Sequence, residues 1–247
     1  MTLRAPKRQR RTRDSQPPGD TQSASAPRWR DVAAEGGELF GRLRTRYQPP
    51  ALSSLPRGDG HPVLVIPGLL SADWMTRGFR GVLTALGYQV EGWGAGINLG
   101  PTESAWRITA ERLLAVAAGS GRQVSLVGHS LGGVLARALA HEHPALVRRV
   151  ITVCSPFHPP VTSPLEPLYR MLSRWHIDQD FLLSRIAEPP PVVTTAIYTP
   201  RDRIVAWTSW VDVPGPGREN VSIDGAHSTM LGNPSVIQVI ADRLARP

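Results

Sequence analysis

The chain has 247 residues, of which 41% are apolar, so it is long enough to fold as one α/β domain with a full core. Its single cysteine, Cys154, excludes an intrachain disulfide and fits a reducing compartment. The net charge of +8 is concentrated in the first 30 residues, which hold eight basic and two acidic side chains, so the rest of the chain is nearly balanced.

The basic N-terminal region, residues 1–27, is rich in Arg, Ser, Gln and Pro and has no periodicity, which predicts a disordered tail. Such a tail either solubilises the chain or makes a peripheral contact with an anionic membrane or with nucleic acid. We expect no specific nucleic-acid partner. No apolar run approaches the roughly 18 residues of a membrane span, and no apolar core of a signal peptide follows the basic start. We therefore expect a cytoplasmic protein.

Residues 28–60 are expected to form an amphipathic helix followed by a linker. Apolar residues recur at three- and four-residue spacing between Trp29 and Tyr47, although Gly36 and Gly37 weaken the pattern. The helix would either dock on the domain or lie on a membrane surface. Proline and glycine are frequent in the stretch that follows it.

The predicted domain covers residues 61–247 and alternates strands with helices. Short apolar runs bounded by Gly and Pro predict strands near 63–66, 88–92, 124–127, 149–153, 192–198 and 220–223. Helices are predicted near 75–86, 102–118, 131–141 and 234–244. This alternation predicts a mostly parallel sheet that is covered by helices on both faces.

A long insertion interrupts the alternation at about 155–190. Almost forty residues separate the strands that end near 153 and begin near 192, and this is too long for a plain connection in a compact domain. A helix near 165–173 is expected inside it. The length favours a functional insertion.

The strongest chemical signal is Gly128-His129-Ser130-Leu131-Gly132, which lies between a predicted strand and a predicted helix. This context is that of a nucleophile elbow, in which a strained turn lifts the serine hydroxyl clear of the backbone. A glycine-rich turn with a solvated serine is the plainer interpretation of the string alone. We expect Ser130 to be a nucleophile.

A serine needs a base and an acid, which follow it in the chain when it stands on such an elbow. His227 follows the last short strand, and Asp202 follows the strand near 192–198, so both should lie at the carboxyl edge of the sheet. Alternatively, Asp202 pairs with Arg201 or Arg203 at the surface. The weaker candidates are His141, His143, His158 and His176 for the base, and Asp212, Asp224 and Glu188 for the acid.

Acyl transfer also needs hydrogen-bond donors for a developing oxyanion. One donor is expected to be the backbone N–H of Leu131, which follows the nucleophile. The other is expected from Pro67-Gly68-Leu69-Leu70, the loop after the first core strand, with the N–H of Leu69 as the donor.

Several of these stretches resemble bacterial α/β-hydrolases of the esterase and lipase kind, including triacylglycerol lipases. The similar stretches are VLVIPGLL at 63–70, GWGAGINLGP at 92–101, VSLVGHSLGG at 124–133 and the loops of Asp202 and His227. The resemblance covers about residues 60–246 and implies the α/β-hydrolase fold. The core starts at that family's third strand, so a trimmed sheet of about six strands is expected. Many such lipases carry His before the glycine of the oxyanion loop, where this chain has Pro67.

The resemblance further implies a serine carboxylic-ester hydrolase that acts on a small-molecule ester or lipid through an acyl-enzyme, without a cofactor or a metal ion. The insertion would be a lid or cap over the acyl pocket, or it would simply pack on the core. Substrate contacts are expected from Leu70, His129 and Phe157. Two alternatives stay open: an acyltransferase or amidase with the same triad, and a non-catalytic binding module. Oligomeric state is not predicted.

Overall fold

The computed structural model describes residues 27–35, 50–100, 102–158, 163–164 and 186–247. Nearly all of the predicted basic tail, the second half of the predicted amphipathic helix and most of the predicted insertion, with its expected helix, lie outside the described residues.

One six-stranded sheet forms the centre of the domain. Its strands are β1 (Pro62–Ile66), β2 (Gln89–Gly92), β3 (Val124–His129), β4 (Val147–Val153), β5 (Val193–Tyr198) and β6 (Arg218–Ser222). The strand order is β2-β1-β3-β4-β5-β6, and every neighbouring pair is parallel. The predicted parallel sheet of about six strands is therefore confirmed.

The central strands β1 and β3 consist largely of apolar residues because helices cover both of their faces. All residues of β1 and β3 are buried. Along β1, Val63 and Val65 belong to one core cluster, whereas Leu64 and Ile66 belong to the other, as the two-residue period of a strand requires. The edge strands β2 and β6 are only partly buried, which explains why their sequences carry charged residues.

Four α-helices pack on the sheet: α1 (Asp73–Ala85), α2 (Glu103–Ser120), α3 (Leu131–Glu142) and α4 (Pro234–Leu244). Apolar residues of α1 and α4 share one core cluster, and those of α2 and α3 share the other, so two helices lie on each face. The ends of α2 are well defined. The Thr102 side chain accepts a hydrogen bond from the Ala105 N–H at its start, and Gly121 (φ 64°) follows its end.

The six predicted strands and the four predicted helices that fall within the described residues match the structure apart from small shifts of their ends. For example, β4 begins two residues before the predicted 149, and β6 covers Arg218–Ser222 rather than 220–223. None of the helices in the described ranges combines the length and the apolar character needed to cross a bilayer.

Residues 29–35 are helical, at the start of the predicted amphipathic helix. Trp29, which begins the predicted apolar stripe, is 60% exposed, whereas Glu35 is 1% exposed. In this segment a carboxylate, rather than the apolar residues, makes the most buried contact with the domain.

Candidate active site

The turn at Ser130 has the backbone strain expected of a nucleophile elbow. Ser130 joins β3 to α3 with φ 51° and ψ −123°, a conformation that costs a non-glycine residue about 1–3 kcal/mol. The surrounding structure holds it there, because its N–H donates to the Val153 carbonyl at 2.8 Å and its carbonyl accepts from the Gly133 N–H at 3.0 Å.

Glycines around Ser130 allow the elbow to approach its neighbours closely. A Cβ atom at Gly128 would overlap the carbonyl of Gly132, and one at Gly132 would overlap the carbonyls of Ile66 and Pro67 at the end of β1. The two flanking glycines of the motif are therefore needed for close packing.

Asp202 and His227 form a buried pair. His227 Nδ1 lies 2.6 Å from Asp202 Oδ2, and Asp202 Oδ1 accepts from the N–H groups of Ile204 (2.7 Å) and Val205 (2.9 Å). The Asp202 side chain is fully buried. With one oxygen held by the backbone, the other is fixed towards the imidazole, which keeps the proton on Nδ1 and leaves Nε2 free to act as a base.

The rival acids have other surroundings. Asp224 is exposed and lies 3.7 Å from Arg201, the residue that could have paired with Asp202. Asp212 is fully buried and forms a salt bridge with Arg137 at 2.7 Å. Among the described acidic residues, only Asp202 makes a side-chain hydrogen bond to the His227 ring.

The surroundings of His227 favour its charged form. Burial lowers the pKa of His227, but the charge and hydrogen bond of Asp202, together with the charge of Glu35, outweigh burial and raise this pKa above its ordinary value of 6.5. An imidazole with a raised pKa is a stronger proton acceptor, which suits a general base.

His129 supports the His227 loop rather than facing solvent. Burial and the nearby charge of His227 lower the pKa of His129 to about 3, although its hydrogen bond to the His227 backbone opposes this. The ring is therefore neutral, and its Nε2–H donates to the His227 carbonyl at 2.9 Å. This contact links the residue before Ser130 to His227.

Glu35 also contacts the His227 loop, and sequence reasoning did not identify it. Its carboxylate accepts hydrogen bonds from the N–H groups of His227 (3.0 Å) and Ser228 (3.3 Å) and from the Ser228 hydroxyl (2.9 Å). The two residues of the first contact are 192 positions apart, and no local pattern around Glu35 indicates the pairing.

The Ser130 hydroxyl makes no hydrogen bond to His227 in the described part of the chain. Within the described residues, no hydrogen bond involves its Oγ. Catalytic hydrogen bonds are often long or misaligned in the absence of substrate. A hydrogen bond between Ser130 and His227 therefore stays a prediction.

The loop after β1 lies against the elbow. A Cβ at Gly68 would stand 3.1 Å from Ser130 Cβ. The buried Asn98 holds this loop in place. Its side-chain Nδ2 donates to the Pro67 carbonyl at 2.7 Å, and its backbone carbonyl accepts from the Leu70 N–H at 2.7 Å. In the part of the chain that the structure describes, the N–H groups of Leu69 and Leu131 have no hydrogen-bond acceptor, so both are free for an oxyanion.

The predicted substrate contacts have different surroundings. Leu70 is 52% exposed on the loop after β1. Phe157 is fully buried, and its ring lies 3.9 Å from the Arg137 guanidinium, so it would reach a substrate only if the surrounding chain moved. Leu70, His129 and Phe157 as substrate contacts stay predictions.

Cys154 lies beside the Asp202–His227 pair, which the sequence did not suggest. Ligand-type atoms of Cys154, Asp202 and His227 all lie within 4.8 Å of one another. Burial and the charge of Asp202 raise the pKa of the Cys154 thiol well above its ordinary value, so the thiol is protonated at neutral pH. A protonated thiol is a poor metal ligand.

Comparisons with known proteins agree with this architecture. A family profile described as alpha/beta hydrolase fold matches residues 103–193, which include the elbow. A monoacylglycerol lipase from Paleococcus ferrophilus superposes with a TM-score of 0.55 at 15% identity, over 77% of this chain and 95% of that one. Lipase B from Aspergillus fumigatus superposes with a TM-score of 0.60 at 20% identity, over 81% of this chain and 55% of that one. The search of curated protein sequences gave no match.

At these identities the two solved structures show likeness of fold alone, and this likeness agrees with the observed strand order. The parallel six-stranded sheet, the strained serine between β3 and α3, and the profile match over 103–193 all agree. The chain therefore has the α/β-hydrolase fold.

Proposed function

We propose that this chain is a serine hydrolase that cleaves carboxylic esters through an acyl-enzyme on Ser130, with His227 as the general base and Asp202 as the acid that orients it. The observation that carries the proposal is the buried Asp202–His227 hydrogen bond of 2.6 Å, on the sheet edge where Ser130 occupies its strained turn.

In the first half of the proposed reaction, His227 Nε2 takes the proton of the Ser130 hydroxyl as Oγ attacks the ester carbonyl carbon. The carbonyl oxygen becomes an oxyanion, which the N–H groups of Leu69 and Leu131 stabilise. Asp202 stabilises the imidazolium that forms. The imidazolium then gives its proton to the departing alcohol oxygen as the carbon–oxygen bond breaks, which leaves the acyl group on Ser130.

In the second half, water replaces the alcohol. His227 takes a proton from the water as it attacks the acyl carbon, and returns that proton to Ser130 Oγ when the acid product leaves. The helix α3 starts directly after Ser130, so its positive end also favours the oxyanion.

An ester of an apolar acyl group is the substrate class that we propose. Support comes from the likeness to the two lipases and from the exposed apolar residues close to the oxyanion loop. Leu70 lies on that loop, and the exposed Ile97 and Leu99 flank Asn98, which is hydrogen-bonded to it. An apolar surface beside the nucleophile suits an acyl chain.

The test is fluorophosphonate labelling together with hydrolysis of p-nitrophenyl esters from acetate to palmitate. We expect the wild type to label and to turn over, and Ser130→Ala to do neither. Ser125→Ala is the matched control, because Ser125 Oγ is hydrogen-bonded to the histidine His61 at 2.8 Å but is buried within β3. It should label as the wild type does.

The outcomes separate the mechanism from the substrate. Labelling that persists in Ser130→Ala would contradict the proposal. Labelling of the wild type without turnover of any ester would keep the nucleophile and reject the substrate class. Competing alcohols and amines in the assay would divert the acyl group if the chain were an acyltransferase.

A further inference from the structure

The backbone of the proposed base starts a short helical turn whose first N–H groups need acceptors. His227–Gly232 is a 3₁₀ helix, and the residue that precedes it, Ala226, has no side chain that could cap it. The first N–H groups of this helix belong to His227 and Ser228. Both donate to the carboxylate of Glu35, at 3.0 and 3.3 Å.

The Glu35 carboxylate makes its hydrogen bonds to this one loop. It is 1% exposed, and its three hydrogen-bond donors all belong to His227 and Ser228. Among the described residues, no salt bridge joins it to a cation. A buried carboxylate is costly without partners, so the helical segment 29–35 and the His227 loop are held together by these contacts.

Three polar groups of His227 are then each held by a different part of the chain. The ring is held by Asp202 through Nδ1, the carbonyl by His129 and the N–H by Glu35. If Glu35 were lost, the N–H of the base would be buried without an acceptor and its backbone would be free to shift. A displacement of about 1 Å at a catalytic group can cost about 100-fold in rate.

We propose that Glu35 is a positioning residue for the general base, acting through the backbone of His227 and through its negative charge. The inference rests on the proposed role of His227. It makes the segment before the α/β domain part of the catalytic apparatus rather than a tether.

The charge has a measurable consequence. Among the residues that the structure describes, the titratable groups that face His227 are Asp202, His129, Cys154 and Glu35. His129 is neutral and the Cys154 thiol is protonated, which leaves two carboxylates to favour the imidazolium. Removing the charge of Glu35 should lower the pKa of His227, because one of the two charges that raise it is gone.

The experiment is an NMR titration of the His227 imidazole in the full chain, with the pH dependence of kcat/KM measured in parallel. Glu35→Gln keeps the size and one acceptor oxygen but loses the charge, and Glu35→Ala loses both. We expect both variants to lower the pKa of His227. We expect Glu35→Ala also to lower kcat by up to about 100-fold with little change in KM.

Asp31→Asn is the matched control. Asp31 lies in the same helical segment, where it accepts from the Arg28 N–H at 2.7 Å and lies 3.9 Å from the Arg30 guanidinium. Within the described residues it makes no hydrogen bond or salt bridge to the His227 loop. It should leave the titration and kcat unchanged. A His227 pKa in Glu35→Gln equal to that of the wild type would overturn the inference. Because the titration does not depend on turnover, it tests Glu35 even if Ser130 proves inert to fluorophosphonate and esters.

Discussion

The described part of the chain contains two separate groups in which a Ser, a His and an Asp lie near one another. The first is Ser130, His227 and Asp202. In the second group, His61 lies 2.5 Å from Asp59 Oδ1 and 2.8 Å from Ser125 Oγ, at the opposite edge of the sheet from Ser130. Ser125 is buried within a regular strand, where its own N–H and carbonyl belong to the sheet ladder. A hydrogen-bonded array is therefore not sufficient evidence for a nucleophile, because acyl transfer also needs access for the substrate and donors for the developing oxyanion.

At the residue scale, Asp202→Asn should lower kcat/KM by about 10⁴-fold, because the introduced amide cannot stabilise the imidazolium and can favour the wrong tautomer. The remaining activity should have its acidic limb at lower pH. The activity requires neutral His227 and is lost as the pH falls through its pKa, which Asp202 raises. The measurement is the pH profile of ester hydrolysis.

Asp224→Asn is the control for this substitution. Asp224 is exposed and faces Arg201, so its loss should leave the rate and the pH profile unchanged. If Asp202→Asn behaved as Asp224→Asn does, the orienting acid would have to be sought elsewhere.

At the scale of elements, the contact between the start of α3 and the end of β1 brings the elbow and the oxyanion loop together. Gly132→Ala would push a methyl group against the Ile66 and Pro67 carbonyls, which are backbone atoms and cannot rotate away. We expect a loss of about 1–3 kcal/mol in unfolding free energy. We also expect Gly132→Ala to lower kcat more than Ser125→Ala does. A shift of Pro67 would displace the next residues, Gly68 and Leu69, and with them the proposed oxyanion donor.

Gly81→Ala is the matched substitution. Gly81 lies within α1, and a Cβ there would meet no atom within 4 Å. Alanine should raise the unfolding free energy by about 0.5–1 kcal/mol, since glycine loses more chain entropy in a helix. Urea unfolding of both variants measures the contrast. Equal stabilities would show that the α3–β1 contact tolerates a side chain.

Sequence analysis predicted best the elements whose residues are all buried, such as β1 and β3. The apolar run of β1, and that of β3 with Ser125 as its one interruption before Gly128, favour short strands that are covered on both faces. The triad candidates follow from loops at strand ends. The edge strand β6 was placed less accurately, since its partly exposed residues, from Arg218 to Ser222, carry no clear alternation.

Contacts between distant segments could not be predicted from local pattern. Asn98 holds the Pro67 carbonyl across 31 positions, and Glu35 reaches His227 across 192. An asparagine in a glycine-rich loop and a glutamate in an amphipathic segment are both expected at the surface. Only the assembled fold shows that each is buried against the site.

At the scale of the whole molecule, the buried Arg137 connects α3 both to Asp212, which follows β5, and to the chain at the end of the predicted insertion. Arg137, in α3, forms two hydrogen bonds with Asp212, at 2.7 and 3.0 Å. It also donates to the carbonyls of Ile186 (2.9 Å) and Glu188 (3.1 Å). Both ionic side chains are fully buried. The chain that returns from the insertion to β5 is thereby fixed to the helix that follows Ser130.

Arg137→Met should lower the unfolding free energy by about 3–5 kcal/mol, because it leaves the Asp212 carboxylate buried without a cation. Combining it with Asp212→Leu should recover much of this loss, since a buried pair replaced by apolar groups is often nearly neutral. Arg107→Met is the surface control. Arg107 pairs with Glu111 on exposed α2 and should cost no more than about 0.5 kcal/mol. Thermal and urea unfolding of the four proteins measure these differences. A small loss for Arg137→Met would mean that water or a neighbouring group compensates the Asp212 carboxylate, and that the contacts of Arg137 with Asp212, Ile186 and Glu188 contribute little to stability.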